Sequence, residues 1–140
     1  MTLRVELVSP ERILLSVDAS MVIARTIRGG DIAFLTGHAP FIGALATWPV
    51  EIKTTDDSWQ VAAVHGGFIS VTDDQVRILS DLAELAGDID IARAEQARDA
   101  AAAAMPSGDD GRESAEAADL ARAEARLAAA RGTAAASGSH

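Results

Sequence analysis

The sequence pattern changes near residue 87, and this change constrains the fold more than any other feature. Before it, short aliphatic runs alternate with turns, two of which contain Gly37-His38-Ala39-Pro40 and Gly66-Gly67-Phe68. After it, alanine, arginine and glutamate dominate a helical type of sequence that opens with Ile89-Asp90-Ile91-Ala92. A run of strands followed by a run of helices predicts two structurally different parts.

The first part, residues 1–86, is predicted to be an antiparallel β-sandwich that serves as a docking domain. Its first strand is visible in Leu3, Val5 and Leu7, which alternate with charged residues as in a strand with one buried face. We predict a second strand that begins with residues 13–15 and a third strand at residues 21–27. Many short strands without an intervening helix are typical of a sandwich or barrel.

The second part, residues 87–131, is predicted to be a regulatory arm of two helices. The first helix is capped by Asp88 or Asp90 and runs to about Met105, and the second begins near Arg112. Residues 132–140 are predicted to be a disordered tail of small residues. The apolar side of the arm is mostly alanine, whose methyl group contributes less than about 1 kcal/mol on burial. We therefore expect that the arm separates from the β-sandwich, which we call the body, at a small cost in free energy. The alternative is a hairpin docked permanently on the sandwich.

Composition excludes several classes of protein. The chain has 140 residues, a net charge of -9 and no cysteine, which argues against nucleic-acid partners and rules out disulfides. No apolar run approaches the roughly 20 residues of a membrane-spanning helix, so direct membrane insertion is not expected. The N-terminus lacks the pattern of a signal peptide, and we expect a soluble protein of a reducing, cytosolic compartment.

No constellation of residues predicts catalysis or a metal site. His38 and His65 have no fixed carboxylate spacing beside them, which favours structural or surface roles. Three arginines of the arm could hold an anion, because Arg122 and Arg126 share a helix face and Arg93 starts the antiparallel helix. The alternative is that these arginines pair with carboxylates of the arm. Those carboxylates are Glu95, Asp119 and Glu124.

Four short motifs in order and spacing resemble those of a known family. They are Val8-Ser9-Pro10-Glu11, the Arg28 to Asp31 loop followed by Gly37-His38-Ala39-Pro40, the stretch from Gly66 to Val71, and Asp88 to Ala94. Over nearly its whole length the chain resembles the epsilon subunit of bacterial F-type ATP synthases. The resemblance implies an α+β fold in two parts, with an antiparallel β-sandwich of about ten strands followed by a C-terminal α-helical hairpin.

The function that the resemblance implies is that of a non-catalytic rotor subunit in the central stalk. Such a subunit couples proton-driven rotation of the c-ring to ATP synthesis, and its C-terminal helices inhibit ATP hydrolysis. The implied partners are the gamma subunit and the c-ring, and also the alpha and beta subunits of the catalytic head when the arm extends. The implied location is peripheral, on the cytoplasmic face of the cell membrane.

The resemblance also implies three sets of site residues. The ring-facing loop corresponds to Arg28, Gly29, Gly30 and Asp31, with His38 nearby. The inhibitory arm would act through Arg122, Arg126 and Arg131. No cofactor is required, but some members bind regulatory ATP. That ATP site corresponds to Glu84, Ile89, Asp90, Arg93, Ala94, Arg122 and Arg126. A basic position of the ATP-binding members falls at Ala100 here, which weakens the case for ATP.

Two other hypotheses remain open at this point. The first is a free-standing nucleotide-sensing β-sandwich with a helical lid, which tight ATP binding by the isolated chain would favour. The second is a cupin-like metal enzyme that uses His38 and His65, which bound metal would favour. Purification with a gamma-like partner would favour the rotor subunit.

Overall fold

The computed structural model describes residues 2–105 and 114–132. Nine strands, a single 3-10 turn and two α-helices lie in these two ranges. The strands are β1 (Leu3–Val8), β2 (Ile13–Thr26), β3 (Gly30–Leu35), β4 (Phe41–Ala44), β5 (Thr47–Thr54), β6 (Trp59–His65), β7 (Phe68–Thr72), β8 (Gln75–Leu79) and β9 (Ala83–Leu85). The 3-10 turn is Ala86–Asp88, and the helices are α1 (Ile91–Ala103) and α2 (Ala115–Arg131).

The strands form one hydrogen-bonded sheet that folds over on itself. Its order is β4-β7-β8-β1-β2-β5-β6-β9, with β3 also paired to β2. The long strand β2 makes the fold-over, because its first half pairs with β1 while its second half pairs with β3 and β5. A register shift between Ala19 and Met21 marks the change of partner. The prediction that the strand beginning at residues 13–15 is separate from the strand at residues 21–27 was therefore wrong, because the residues between them continue one strand.

The predicted antiparallel sandwich with a C-terminal helical hairpin is confirmed, and one pairing adds a feature. Among the described residues, β1 and β8 run parallel, with Val5 opposite Val76 and Leu7 opposite Ile78. The other strand pairings are antiparallel. All four of these side chains are buried, so the first and the penultimate strand of this body close the core together.

The core of the body consists of apolar side chains from both layers of the folded sheet. Its largest fully buried members are Leu3, Val5, Leu7, Val22, Phe34, Val50, Ile52, Val64, Ile69, Val71, Val76 and Ile78. Burying one such side chain contributes about 1.5–3 kcal/mol. The body therefore has a core of its own, independent of the helices.

The two helices pack against each other, and α2 also lies over β5 and β6. Asp90 caps α1 by accepting from the backbone N–H of Arg93, and Ser114 caps α2 in the same way. The buried residues of the arm are Ala94, Ala101, Ala123, Ala125, Leu127 and Ala129. The predicted alanine-rich interface is thus present, and each contact in it buries little apolar area.

Parts of the sequence-based description lie outside the described residues. They are the interhelix loop with the predicted helix start at Arg112, and residues 133–140 of the predicted tail. The helix α1 ends at Ala103, two residues before the predicted end at Met105, and Gly132 follows the end of α2. The division of the chain at residue 86 stays a prediction.

Gly67 provides a test of how β7 is positioned in the body. Its φ is +120°, and a Cβ there would overlap the carbonyl oxygen of Leu79. Gly66 also has a positive φ, +83°, but a Cβ added to it would have nothing within 4 Å. We expect Gly67→Ala to lower the free energy of unfolding by about 3 kcal/mol or more, and Gly66→Ala by about 1 kcal/mol. Urea denaturation measures both values, and equal losses would contradict this account.

Candidate functional site

The junction between the arm and the sheet is built on the outer face of β5, β6 and β9. Strand alternation turns Val50 and Ile52 of β5 into the core, and therefore turns Glu51 to the outer face beneath α2. On β6, Ala63 is fully buried although it does not belong to the core cluster. Its antiparallel partner on β9 is Glu84, so this carboxylate also stands on the face that α2 covers.

Glu84 connects the sheet to the arm through one oxygen atom. Its Oε1 accepts a hydrogen bond from Nε of Arg126 at 2.6 Å, and Nε2 of His65 lies 3.0 Å from the same oxygen. Arg126 belongs to α2, 42 residues further along the chain. The side chain of His65 is 3% exposed, whereas those of Glu84 and Arg126 are 28% and 27% exposed. We call these three residues the latch cluster.

Burial, hydrogen bonds and the charges of the latch cluster together shift the pKa values of Glu84 and His65. Burial alone would raise the pKa of Glu84, but hydrogen bonds from Arg126 and His65 and the positive charge of Arg126 outweigh it. The pKa of Glu84 is therefore lowered. Burial lowers the pKa of His65, and Arg126 and Arg122 add to this, although the hydrogen bond to Glu84 opposes it. At neutral pH the cluster accordingly contains a carboxylate, a guanidinium and a neutral imidazole.

The second ring nitrogen of His65, Nδ1, is buried and has no hydrogen-bond partner within the described parts of the chain. An ionised Glu84 can only accept, so the proton of the neutral imidazole is on Nε2 and Nδ1 carries a lone pair. Sequence reasoning assigned His65 a structural or surface role and missed its place beneath the arm, since its partners are 19 and 61 residues away in the chain.

Most residues of the predicted ATP site surround one cavity of about 460 Å³ beside the latch cluster. Glu84, Ile89, Asp90, Arg93, Ala94 and Arg126 line it. Arg122 does not line it and instead pairs with Asp119 of the same helix. The cavity also contains Asp88, so its three carboxylates outnumber its two arginines. This charge balance disfavours a polyanion.

The predicted inhibitory arginines all have partners in the docked arm. Arg122 pairs with Asp119, as one of the sequence alternatives proposed. Arg131 donates to Glu95 of α1 at 3.0 Å and so joins the two helices. Arg126 pairs with Glu84 of the body rather than with a carboxylate of the arm. Arg126 is thus held by the sheet.

The predicted ring-facing loop is the exposed turn between β2 and β3. Two hydrogen bonds of Thr26 fix the conformation of this turn. Its Oγ1 accepts from the N–H of Gly29 at 2.9 Å and donates to the carbonyl of Gly30 at 3.1 Å. Gly30 has a φ of +67°, as predicted for a tight turn. Asp31 accepts from Arg25 at 2.8 Å. Arg28 is exposed at the tip.

An apolar groove adjoins this loop. Thr26, Ile27, Arg28, Phe41 and Ile42 are among the residues that line its volume of about 650 Å³. Ile27 is 67% exposed and Ile42 is 78% exposed, which is unusual for two isoleucines so close together. Sequence reasoning missed both, although their positions at strand ends beside a glycine turn could have indicated exposure.

His38 lies in the segment between β3 and β4. Its ring packs edge-on against Phe34, with 4.8 Å between the ring centroids, and Phe41 packs against Phe34 in turn. The N–H of the preceding Gly37 donates to Asp74 at 2.7 Å, which ties this segment to the β7–β8 turn. Through Phe41, His38 is connected to the apolar groove rather than to His65.

The described ranges contain no cluster of histidine, cysteine or acidic residues suited to holding a metal ion. None of the helices in these ranges has the length and apolar character needed to cross a membrane.

Comparison with known proteins extends over both parts of the fold. Two solved structures resemble the chain: a mitochondrial ATP synthase of Euglena gracilis, with a TM-score of 0.79 over 94% of this chain and 82% of the matched chain, and one of Tetrahymena thermophila, with a TM-score of 0.53 over 63% and 69%. Their sequence identities, 23% and 18%, are low, so these likenesses concern the fold.

Sequence relatives and a family model identify the family. An ATP synthase epsilon chain of Streptomyces griseus is 48% identical over 95 residues, which cover 68% of this chain and 76% of the relative. An ATP synthase epsilon chain of Brevibacillus brevis is 48% identical over 97 residues, covering 69% and 73%. The model of the β-sandwich domain of the ATP synthase delta/epsilon chain matches residues 2–86. The chain therefore belongs to the ATP synthase delta/epsilon chain family, and both of these sequence relatives are epsilon chains.

Proposed function

We propose that the chain is a non-catalytic rotor subunit in the central stalk of an ATP synthase, and that its helical arm restrains ATP hydrolysis. The observation that carries this proposal is the combination of a delta/epsilon sandwich with an arm of low apolar burial. A cluster of charged and polar side chains, Glu84, His65 and Arg126, joins that arm to the sheet. Such an arm can change its position while the body stays docked.

The partners that we propose are the gamma subunit, the c-ring and, for the extended arm, the alpha and beta subunits of the catalytic head. The Euglena structure contains F1 and the c-ring, and the Tetrahymena structure contains the central stalk and the c-ring. We place this chain peripherally in such a complex, on the cytoplasmic face of the cell membrane. It requires no cofactor there, and no nucleic acid takes part.

We propose that the ring contacts the loop from Arg28 to Asp31, together with the exposed side chains of the apolar groove. The hydrogen bonds of Thr26 hold the turn in one conformation. Ile27 and Ile42 are exposed, so a partner that covers them removes apolar area from water. His38 supports this surface from behind through Phe34 and Phe41. A contact of this kind combines apolar burial with a charged rim, as protein interfaces do.

Cross-linking in the assembled complex tests the ring contact. The chain has no native cysteine, so Arg28→Cys introduces a single reactive thiol at the exposed tip of the loop. We expect it to cross-link to a subunit of the ring. Gln60→Cys, at an exposed position of β6, is the matched control and is expected not to do so. Equal cross-linking of both variants, or none by Arg28→Cys, would contradict the proposal.

We propose that the arm inhibits hydrolysis with cationic side chains that its release from the sheet makes available. When α2 leaves the sheet, Arg126 loses Glu84 and needs a new anionic partner. Arg131 loses Glu95 only if the two helices also separate, whereas Arg122 and its partner Asp119 move together on α2. Acidic surface on the catalytic head would supply such a partner, and guanidinium groups are suited to carboxylates.

The rate of ATP hydrolysis by the assembled complex tests whether the arm is inhibitory. We expect a chain that ends after Gly87 to raise the hydrolysis rate severalfold, because the whole arm is gone. We expect the triple variant Arg122→Gln, Arg126→Gln, Arg131→Gln to raise it in part. Arg98→Gln is the matched control, since Arg98 pairs with Asp99 of α1 and is not one of the proposed inhibitory residues. Hydrolysis that is unchanged in the triple variant would exclude these arginines as the inhibitory groups.

We infer that the docked arm needs no ATP, because Glu84 already provides the anion that Arg126 requires. A phosphate would compete with this carboxylate in a cavity that is rich in acidic groups. The same competition disfavours a free-standing nucleotide sensor, which would have to bind ATP without any partner.

Calorimetric titration of the full chain with ATP tests this inference. We expect no saturable binding up to millimolar ATP. Glu84→Gln frees Arg126 and should strengthen ATP binding by on the order of tenfold. Glu95→Gln, which removes a carboxylate of α1 that pairs with Arg131, should not. Micromolar ATP binding by the unmodified chain would overturn the inference and favour a nucleotide-held arm.

A further inference from the structure

We propose that His65 is a proton-operated latch, such that protonation of its imidazole releases the helical arm from the sheet. The effector is a proton from solution, and the responding element is the docked α2 helix. The proposal goes beyond the rotor function, because it concerns a contact within this chain and requires no partner subunit.

The geometry of the latch cluster suits a neutral imidazole. His65 is the last residue of β6, its side chain is 3% exposed, and α2 covers the outer face of its strand. Its Nε2 and the Nε of Arg126 share one oxygen of Glu84, at 3.0 and 2.6 Å. The docked arrangement is therefore satisfied when the imidazole is neutral and carries its one proton on Nε2.

An additional proton on His65 would have no favourable place in the docked arm. It can bind only at Nδ1, which is buried and has no acceptor within the described residues. A protonated imidazole would thus keep a buried N–H without a hydrogen bond, while also carrying a charge away from water. When α2 leaves, water reaches the ring and both costs disappear.

The charges nearest the ring act in the same direction. From β9, Glu84 attracts a proton on His65, but Arg126 already shares this carboxylate. From α2, Arg126 and Arg122 repel a positive imidazole. The cationic groups of the arm therefore favour a neutral His65 as long as the arm is docked.

The remaining charged groups are at the edges of this environment. Asp88 and Arg93, from the 3-10 turn and α1, line the neighbouring cavity with opposite charges. Asp81 follows β8 and lines the groove on the other side of His65. On β5, Thr47 is opposite His65 and does not titrate, and Glu51 is four residues, about 13 Å, further along that strand.

The direction of the pH dependence follows from these contacts and charges. Burial and the arginines of α2 lower the pKa of His65 below its ordinary value of 6.5 in the docked arm, and release of α2 removes these arginines. Docking is therefore fully favoured above pH 6.5 and weakens as the pH falls from 6.5 toward the lower pKa of the docked state. One proton changes the ratio of docked to released arm by at most about tenfold per pH unit. Hydrogen bonds from Arg126 and His65 lower the pKa of Glu84 from its ordinary value, so the loss of its charge follows only at lower pH.

The test is a distance measurement on the full chain between pH 5 and 8. Glu124→Cys on the exposed side of α2 and Thr72→Cys on β7 receive spin labels, which is specific because the chain has no cysteine. We expect one narrow distance distribution at pH 8, and a second, broader population at a different distance that grows below pH 6.5. An unchanged distribution over this range would overturn the proposal.

Two histidine variants assign the response. In His65→Gln the side chain cannot take up a proton, and we expect the distance distribution to be independent of pH from 5.5 to 8. In His38→Gln, the matched change at the histidine that packs against Phe34, we expect the response to remain as in the unmodified chain. A response that survives in His65→Gln, or one that disappears in His38→Gln, would overturn the assignment.

Imidazole titration by NMR provides a second readout that does not depend on the stability of His65→Gln. Ala125 is fully buried, and it lies on the side of α2 away from Leu127 and Arg131, the latter of which contacts α1. Ala125→Arg should therefore displace α2 from the sheet and leave the core of the body intact. We expect the pKa of His65 to be lower in the unmodified chain than in Ala125→Arg. Equal pKa values in the two chains would overturn the proposal.

Discussion

The carboxylate of Glu84 joins the two parts of this molecule. One of its oxygens is bound by Arg126 from the arm and lies beside His65 from the sheet, and both neighbours are polar groups that burial would otherwise penalise. A hydrogen bond to a charged group contributes about 1.5–3 kcal/mol, and removing one partner of such a pair costs more, because the other is left without its counter-charge. For a helix whose buried surface is mostly alanine, this single contact is comparable to several methyl groups.

The distribution of burial explains which part of the molecule moves. The body closes its own core between two layers of sheet, and β1 is hydrogen-bonded to β2 and β8. The helices, of 13 and 17 residues, are close to the length at which an isolated helix is only marginally stable. Contacts with each other and with β5 and β6 stabilise them. Loss of the sheet contact therefore lowers the stability of the arm more than that of the body. A rigid docking body with a releasable arm is what a rotor subunit that inhibits ATP hydrolysis requires.

Local patterns predicted much of this architecture. The alternation of Leu3, Val5 and Leu7 predicted a half-buried strand, and the alanine content predicted an arm of low burial. A helix start was predicted at Asp88 or Asp90, and Asp90 is the cap. These features depend on neighbours within a few residues. The pairing of β1 with β8 and the continuity of β2 were not predicted, because strand order depends on contacts that are distant in sequence. The candidate site shows the same limit more sharply. Arg122 and Arg131 do pair within the arm, but for Arg126 the anion is a side chain of the body. The local sequence does not indicate that Glu84 approaches Arg126; the family resemblance placed both in one site but assigned them to ATP rather than to each other.

Native-state hydrogen exchange of the full chain in increasing denaturant tests most directly whether the arm opens independently of the body. We predict that the amides of α1 and α2 exchange through an opening of lower free energy and smaller denaturant dependence than those of β1, β2 and β8, which should require global unfolding. A single opening free energy for helices and strands alike would contradict this, because the arm would then be part of one cooperative unit with the sandwich.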